Sequence, residues 1–471
     1  MVSLPITKYY WRVQGAADDA WNEETSATFD VTPSETLLEF LSVGVSEIAI
    51  KAVYPWYSDE KADGINPTLF LDFVNNRFAV NDVVAPFSDL FTFTRSTTKN
   101  VFNSSGVLES VAIDTPAFDY DPVTLEPLGL LVEEQRTNLC LRSDTPFTNW
   151  VTVASTVTAS ASNFLGFTNG AHVASNGADW HRKEIGDTPW TSGTTYAWTL
   201  FVKAGTGGKI LINLRDVTAA KETRITGTLG ATLTVSATAA GAATVTQQLA
   251  VQGGYILTGT FTPNSTTVFG NIGVGPNSNT SGDSINVYAA QLEAGAFPTS
   301  YIPTTTGAVT RGADSVVNNA SNVIPFADWY NQVEGCLFTE AKAAYNTATT
   351  ARRVAEISDG TTNNRWINNI EGSAGNNLSV FVNSGGVTQF SGVSALTPNE
   401  FRKFASAIKT GGSYAIEGVI IGTDVTVTMP ASVSQLNIGQ SNGANRINGW
   451  IKSLRYYPAR ITNSELERIT L

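Results

Sequence analysis

Between residues 139 and 303, apolar and polar side chains alternate with a period of two, which restricts this stretch to half-buried strands. In Lys209 to Arg215 the residues Ile210, Ile212 and Leu214 share one face, and in Thr195 to Lys203 so do Tyr196, Trp198, Leu200 and Val202. Gly, Asn and Thr fill the intervals, as tight turns require. Gly227 to Gln248, rich in Ala and Thr, reads as two flat strands. The pattern predicts an antiparallel sandwich or jelly roll. A second sandwich is expected from Ala313 to Leu471, with strands over Gly335 to Glu340, Arg353 to Ser358, Leu378 to Val382 and Trp450 to Tyr457. Thr462-Asn463-Ser464-Glu465 is a capping box that opens a last helix carrying Leu466 and Ile469.

The remaining segments are assigned by turn and cap chemistry. Residues 1–65 form a small mixed domain: an aromatic strand at Tyr9 to Val13, then a helix opened by Thr32-Pro33-Ser34-Glu35 and stopped at Gly44. Residues 66–138, a string of short strands and turns, read as a β connector with little core of its own, and so as the place where copies of the chain meet. Tyr301 to Gly307 is polar and turn-rich, giving a linker over 304–312. The fold class is mainly β and multidomain, as expected for 471 residues.

Charge is uneven. Residues 1–134 hold about 21 acidic against about 7 basic side chains, and the rest is near balance, so the acidic end is read as a docking end. With a net charge of −12 and no basic tract, nucleic-acid binding is disfavoured. No apolar run reaches membrane-spanning length, and Met1 to Pro5 does not open a signal peptide. Cys140 and Cys336 are expected as buried free thiols, consistent with folding in a reducing bacterial cytoplasm and release by lysis.

Phe70-Leu71-Asp72-Phe73, Phe93-Thr94-Arg95-Ser96-Thr97, Pro116 to Thr124 and Gly129 to Leu139, in that order, resemble a module of phage and prophage fibre or spike proteins. That module often carries a basic residue where this chain has Ala117. Asn149-Trp150 opens, and Tyr288 to Gly295 with Thr299 to Thr304 closes, a domain similar to a carbohydrate-binding-module jelly roll. Gly449 to Pro458 with Thr462 to Leu466 is similar to the end of concanavalin-A-like or laminin-G-like lectin sandwiches. The first residues resemble tail-fibre N-termini only loosely. The resemblance implies a homotrimeric virion-surface subunit, anchored at its N-terminal end to a capsid or tail protein and binding capsule or lipopolysaccharide without cleaving it.

Sugars are held by aromatic platforms and planar amide or carboxylate groups. Trp180 and Trp190 are candidate platforms in the first sandwich, whereas Trp198 alternates with core aliphatics. In the second sandwich Asn364, Arg365 and Trp366, with Asn442 and Asn445, are candidates, although Asn-rich turns also arise for backbone reasons alone. No cofactor is required. Both resembled sandwich families often carry calcium, for which Asp283, Asn286 and Glu293 are candidate oxygen ligands. No catalytic residue is assigned. Glu356 and Asp359 are spaced by three, on opposite faces of a strand, and His172 and His181 are the only imidazoles. The rival readings are a capsule or lipopolysaccharide depolymerase and a decoration protein that binds nothing.

Overall fold

The computed structural model describes residues 9–13, 22–24, 38–41, 60–177, 181–344, 351–371, 377–395, 400–424 and 426–471. Antiparallel sheets dominate these residues. Tyr9–Val13 lies between Asn22–Glu24 and Leu38–Leu41 in a three-stranded sheet. Leu38–Leu41 is therefore a strand rather than the expected helix. Its Leu-Glu-Phe-Leu sequence pairs with an aromatic partner strand, and tertiary pairing of this kind overrides a local capping signal. The proposed cap itself, Thr32 to Glu35, lies outside the described residues.

The segment 139–303 folds as two facing six-stranded sheets. One runs Val151–Val153, Arg182–Trp190, Thr267–Gly275, Lys209–Asp216, Lys221–Thr228, Leu233–Thr238. The other runs Ser155–Ala159, Ala171–Ser175, Ser284–Ala294, Tyr196–Ala204, Gly254–Pro263, Gly241–Val251. Ile210, Ile212 and Leu214 from the first meet Trp198, Leu200 and Val202 from the second in one buried core, so the period-two alternation marks the inward face.

The second sandwich is larger and discontinuous in sequence. Its ten-stranded sheet places Leu69–Asp72 beside Gly449–Tyr457, with Leu71 opposite Leu454, and continues outward through Arg77–Val80. Pro127–Val132 pairs with the other half of Gly449–Tyr457. On the facing seven-stranded sheet, Thr92–Thr94 is the edge strand beside Ser315–Asn318. Leu69, Leu71, Phe93 and Leu130 share one core with Trp366, Leu436 and Tyr456. Residues 66–138 are thus not a separate connector; most of their short strands are missing members of the C-terminal sandwich, and their partners lie about 220 to 380 residues away in sequence, too far for local periodicity to reveal. Ala117 is fully buried against Val101 and Leu131, where a long basic side chain would have to displace them. The final helix, Asn463–Thr470, accepts its cap at Thr462 Oγ1 from the Glu465 N–H (3.3 Å) and packs Leu466 and Ile469 beside Phe338, Ala405 and Tyr457.

The first sandwich is an insertion into the second. Its entry strand Arg136–Asn138 pairs antiparallel with its exit strand Val309–Arg311, so the expected linker over 304–312 is half of a two-stranded ribbon. Thr304 is buried, with its N–H on Ser143 Oγ at 3.0 Å.

A buried charge cluster lies where the ribbon meets the larger sandwich. Asp314 takes Arg95 Nη1 (3.1 Å) and Lys99 Nζ (2.7 Å) on its two oxygens, while Glu133 takes Lys99 Nζ (3.0 Å) and Arg311 Nη1 (2.9 Å). The Ser300 N–H (2.8 Å) and Oγ–H (2.7 Å) donate to Glu133, and the Asp314 carboxylate also accepts the Glu133 N–H (2.7 Å). Beside it, Asn138 donates to the Ile302 carbonyl (2.8 Å) and accepts from the Leu292 N–H (3.1 Å). Buried charges persist only when paired and hydrogen-bonded, and here each carboxylate meets both cations and backbone donors. The cluster fixes the inserted sandwich on its host.

Candidate functional site

The two expected aromatic platforms that fall among the described residues are not at the surface. Trp190 is 2 % exposed. Register irregularities at Thr188 turn the end of its strand so that the indole enters the core, edge-on to Phe261 at 5.1 Å between centroids. Trp366 is wholly buried and donates Nε1–H to Ser406 Oγ at 2.8 Å, on a strand whose residues Trp366 to Ile370 are all buried. Both are core residues, not sugar platforms. Trp180 lies outside the described residues.

The polar candidates of the second sandwich are brought together, but to build turns. Asn364 donates to Asp359 Oδ2 (2.9 Å) and accepts from the Gly385 N–H (2.9 Å). Asn442 donates to the Gly360 carbonyl (2.7 Å) and accepts from Gln435 Nε2 (2.8 Å). Asn442 and Asn445 both hold positive φ, and the Asn445 carbonyl accepts the Arg353 N–H at 2.9 Å. Arg365 lies over the Phe381 ring with Glu356 4.0 Å away. The amides of Asn364 and Asn442 are committed to this turn framework rather than offered to a ligand.

Glu356 is fully buried, and burial pushes its carboxyl above the usual range despite a hydrogen bond from Ser441 Oγ at 2.7 Å. Asp359 instead accepts the Thr361 N–H (2.8 Å) at the head of the turn. His181 is closed in by Ser175 Oγ (3.0 Å) and the Ala154 carbonyl (2.5 Å), and Ser175 is itself 2 % exposed.

The three candidate calcium ligands do not converge. Asn286 and Glu293 lie seven residues apart on one strand, roughly 23 Å at about 3.3 Å per residue, whereas calcium–oxygen bonds are about 2.4 Å. The buried Glu293 carboxylate is occupied by the Thr299 N–H (2.9 Å) and Oγ–H (2.5 Å), and Asp283 accepts from Ser278 Oγ (2.5 Å). Among the described residues, no group of three or more His, Cys, Asp or Glu side chains is placed to hold a metal ion.

A groove of about 660 Å³ opens instead on the outer face of the inserted sandwich, across the sheet that contains Arg182–Trp190 and Lys209–Asp216. Its charged lining is Arg182, Arg215, Lys221, Glu222 and Arg224. The placement follows from the pleat. With Ile212 and Leu214 inward, Asn213 and Arg215 point outward, and the hairpin register puts Arg224 opposite Asn213 and Glu222 opposite Arg215. Gly273, the partner of both Glu184 and Asn213, keeps the floor low; a Cβ there would strike the Arg182 side chain that lies across it. Arg182 Nε is 2.7 Å from Glu184 Oε2, which pins that side chain along the floor. Glu222 Oε2 accepts from Arg224 Nη2 (2.7 Å) and Nε (3.0 Å), while Oε1 lies 3.8 Å from Arg215 Nε. A second depression of about 350 Å³, lined by Arg224, Thr226, Asn277 and Ser278 among others, shares Arg224 with the first. The sequence signal for this face was the charged spacing Lys221-Glu222-Thr223-Arg224 after the turn at Val217 to Ala220, opposite the outward positions 213 and 215; a search for aromatic platforms passes over it.

No protein-family model matches the chain, and no curated protein matches it. Among solved structures, the chain is similar to the CBM40 of the Ruminococcus gnavus IT-sialidase bound to α2,3-sialyllactose (14 % identity, 33 % of this chain and 93 % of that one, TM-score 0.29). It is also similar to domain 4 of AbnA, a GH43 extracellular arabinanase of Geobacillus stearothermophilus, in complex with arabinotriose (13 %, 37 % and 82 %, 0.28). A third similarity is to domains LG4-5 of the mouse laminin α1 chain (11 %, 64 % and 93 %, 0.22).

Proposed function

We propose that this chain is a fibre or spike subunit of a bacteriophage or phage-like particle that attaches the particle to bacterial surface polysaccharide, capsule or lipopolysaccharide, by non-covalent binding. The observation that carries the glycan-binding part is the groove on the inserted sandwich. It is open along a sheet face, so a polymer can cross it without presenting a chain end, and its polar groups stand on paired strands. Such groups suit a ring of sugar hydroxyls and do not have to be ordered on binding. The particle-surface role rests on the resemblance of the Phe70 to Leu139 segments to fibre and spike modules. In this reading residues 1–65 anchor the subunit to a capsid or tail protein, and a homotrimer multiplies weak single-site contacts into firm attachment.

The test is binding of the purified protein to intact host cells and to capsule-stripped cells, with released reducing sugar assayed in the same tubes. Binding that is lost on stripping, without sugar release, is expected. Binding of neither cell type nor isolated polysaccharide overturns the glycan reading, and sugar release replaces it with depolymerisation.

A further inference from the structure

Resting on that reading, we infer that the groove selects acidic polysaccharide, and that Arg215 and Arg224 take a sugar carboxylate in place of Glu222. Two observations support this. First, a chain of net charge −12 gathers Arg182, Arg215, Lys221 and Arg224 in one groove, against Glu222 and the Glu184 that holds Arg182. A protein this acidic repels polyanions at long range, so a local excess of cations on an open sheet face needs a local use. Second, Glu222 demonstrates the geometry. One carboxylate lies within 2.7 Å of Arg224 and 3.8 Å of Arg215, so both guanidinium groups reach a single carboxylate position. Both remain about a third exposed, and Arg215 Nε makes no hydrogen bond.

The chemistry follows from these groups. Guanidinium pairs with carboxylate through two parallel charge-assisted hydrogen bonds, stronger than those to a neutral hydroxyl. Glu222 competes for the same donors, which keeps the arginines in place when the groove is empty and weakens the capture of any single acidic residue. A polymer carrying one carboxylate per repeat overcomes this by offering many.

The experiment prints bacterial surface polysaccharides on an array, each as isolated and after chemical reduction of its carboxylates to alcohols, and probes it with the full chain. Binding confined to acidic polymers, and weakened about ten- to hundred-fold by carboxyl reduction, is expected. The Arg215→Gln/Arg224→Gln variant should lose binding to a similar extent while its thermal unfolding stays that of the wild type. Binding of reduced and parent polymers alike refutes the inference and leaves the glycan reading standing, as does wild-type binding by the double variant. Binding to no polysaccharide at all removes the reading itself. Carboxyl reduction alters only the ligand, so the test does not depend on the variant folding.

Discussion

Replacing Glu133 by Gln should destabilise the protein by about 3 kcal/mol at neutral pH, and the loss should vanish in acid. Glu133 is 4 % exposed. Burial pushes its carboxyl up, but Arg311, then Lys99, then the Ser300 hydrogen bonds outweigh burial and bring it from 4.5 down to about 2. At 1.36 kcal/mol per unit, that shift corresponds to roughly 3 kcal/mol of preference for the charged form in the folded state. The folded-state value is depressed, so the contribution is complete above 4.5 and is lost as pH falls from there through about 2. Gln mimics the protonated acid: it keeps the shape and one acceptor but removes the charge facing Arg311 and Lys99. Urea unfolding followed by tryptophan fluorescence, wild type against variant, from neutrality down to about pH 3, measures the gap. A gap of about 3 kcal/mol that narrows below pH 4.5 is expected. A variant within about 1 kcal/mol of wild type at neutrality, or a gap independent of pH, refutes the assignment of Glu133 as a charged member of the cluster.

Asp119 should behave in the opposite sense. Burial raises its carboxyl from 3.8 to about 6, more than the Trp450 and Phe102 hydrogen bonds lower it, so stability should be flat from neutrality to about 6 and rise by up to about 3 kcal/mol as pH falls from there to 3.8, and Asp119→Asn should flatten that dependence in the same urea titration. Trp190→Ala should cost about 3–5 kcal/mol in denaturant unfolding, because the indole fills the core of the inserted sandwich against Phe261; loss of glycan binding with unchanged stability would contradict its core placement. Gly259→Ala should cost about 1–3 kcal/mol or more, since its new Cβ would strike the Trp198 ring and the Thr244 carbonyl, and a calorimetric melt unchanged from wild type would show that this packing yields.

The strands were more legible than their partners. Alternation identified Ile210, Ile212 and Leu214 as one inward face, and the capping box at Thr462 marked the last helix, because both signals are local. Nothing local says that Leu69–Asp72 pairs with residues 453–456, or that Arg136–Asn138 meets Val309–Arg311. Sheet pairing depends on complementary faces and register, which many segments share, so an interrupted sandwich reads as a connector followed by two whole domains. Among candidate site residues the error came from chemistry rather than position. Trp190 and Trp366 were singled out because indoles suit sugars, but indoles suit cores better, and Trp366 sits on a strand buried from Trp366 to Ile370.

The short strands and turns of residues 66–138 supply the joint, not the groove. Arg95, Glu133 and Asn138 lie in the segments Phe93 to Thr97 and Gly129 to Leu139, Glu293 and Ser300 in the closing segments of the inserted sandwich, and all take part in or adjoin the buried contacts that fix the inserted sandwich to its host. The reason is physical. A buried charge cluster tolerates few substitutions, because removing one partner strands another. Arg215, Lys221, Glu222 and Arg224 stand on an outer sheet face, where a change of side chain disturbs no core and leaves the register intact. The buried cluster therefore determines how the two sandwiches are mounted, and the outward residues determine what the groove can hold. Ligand choice has to be read from the outward residues alone, and in this chain those residues are cations grouped around one carboxylate.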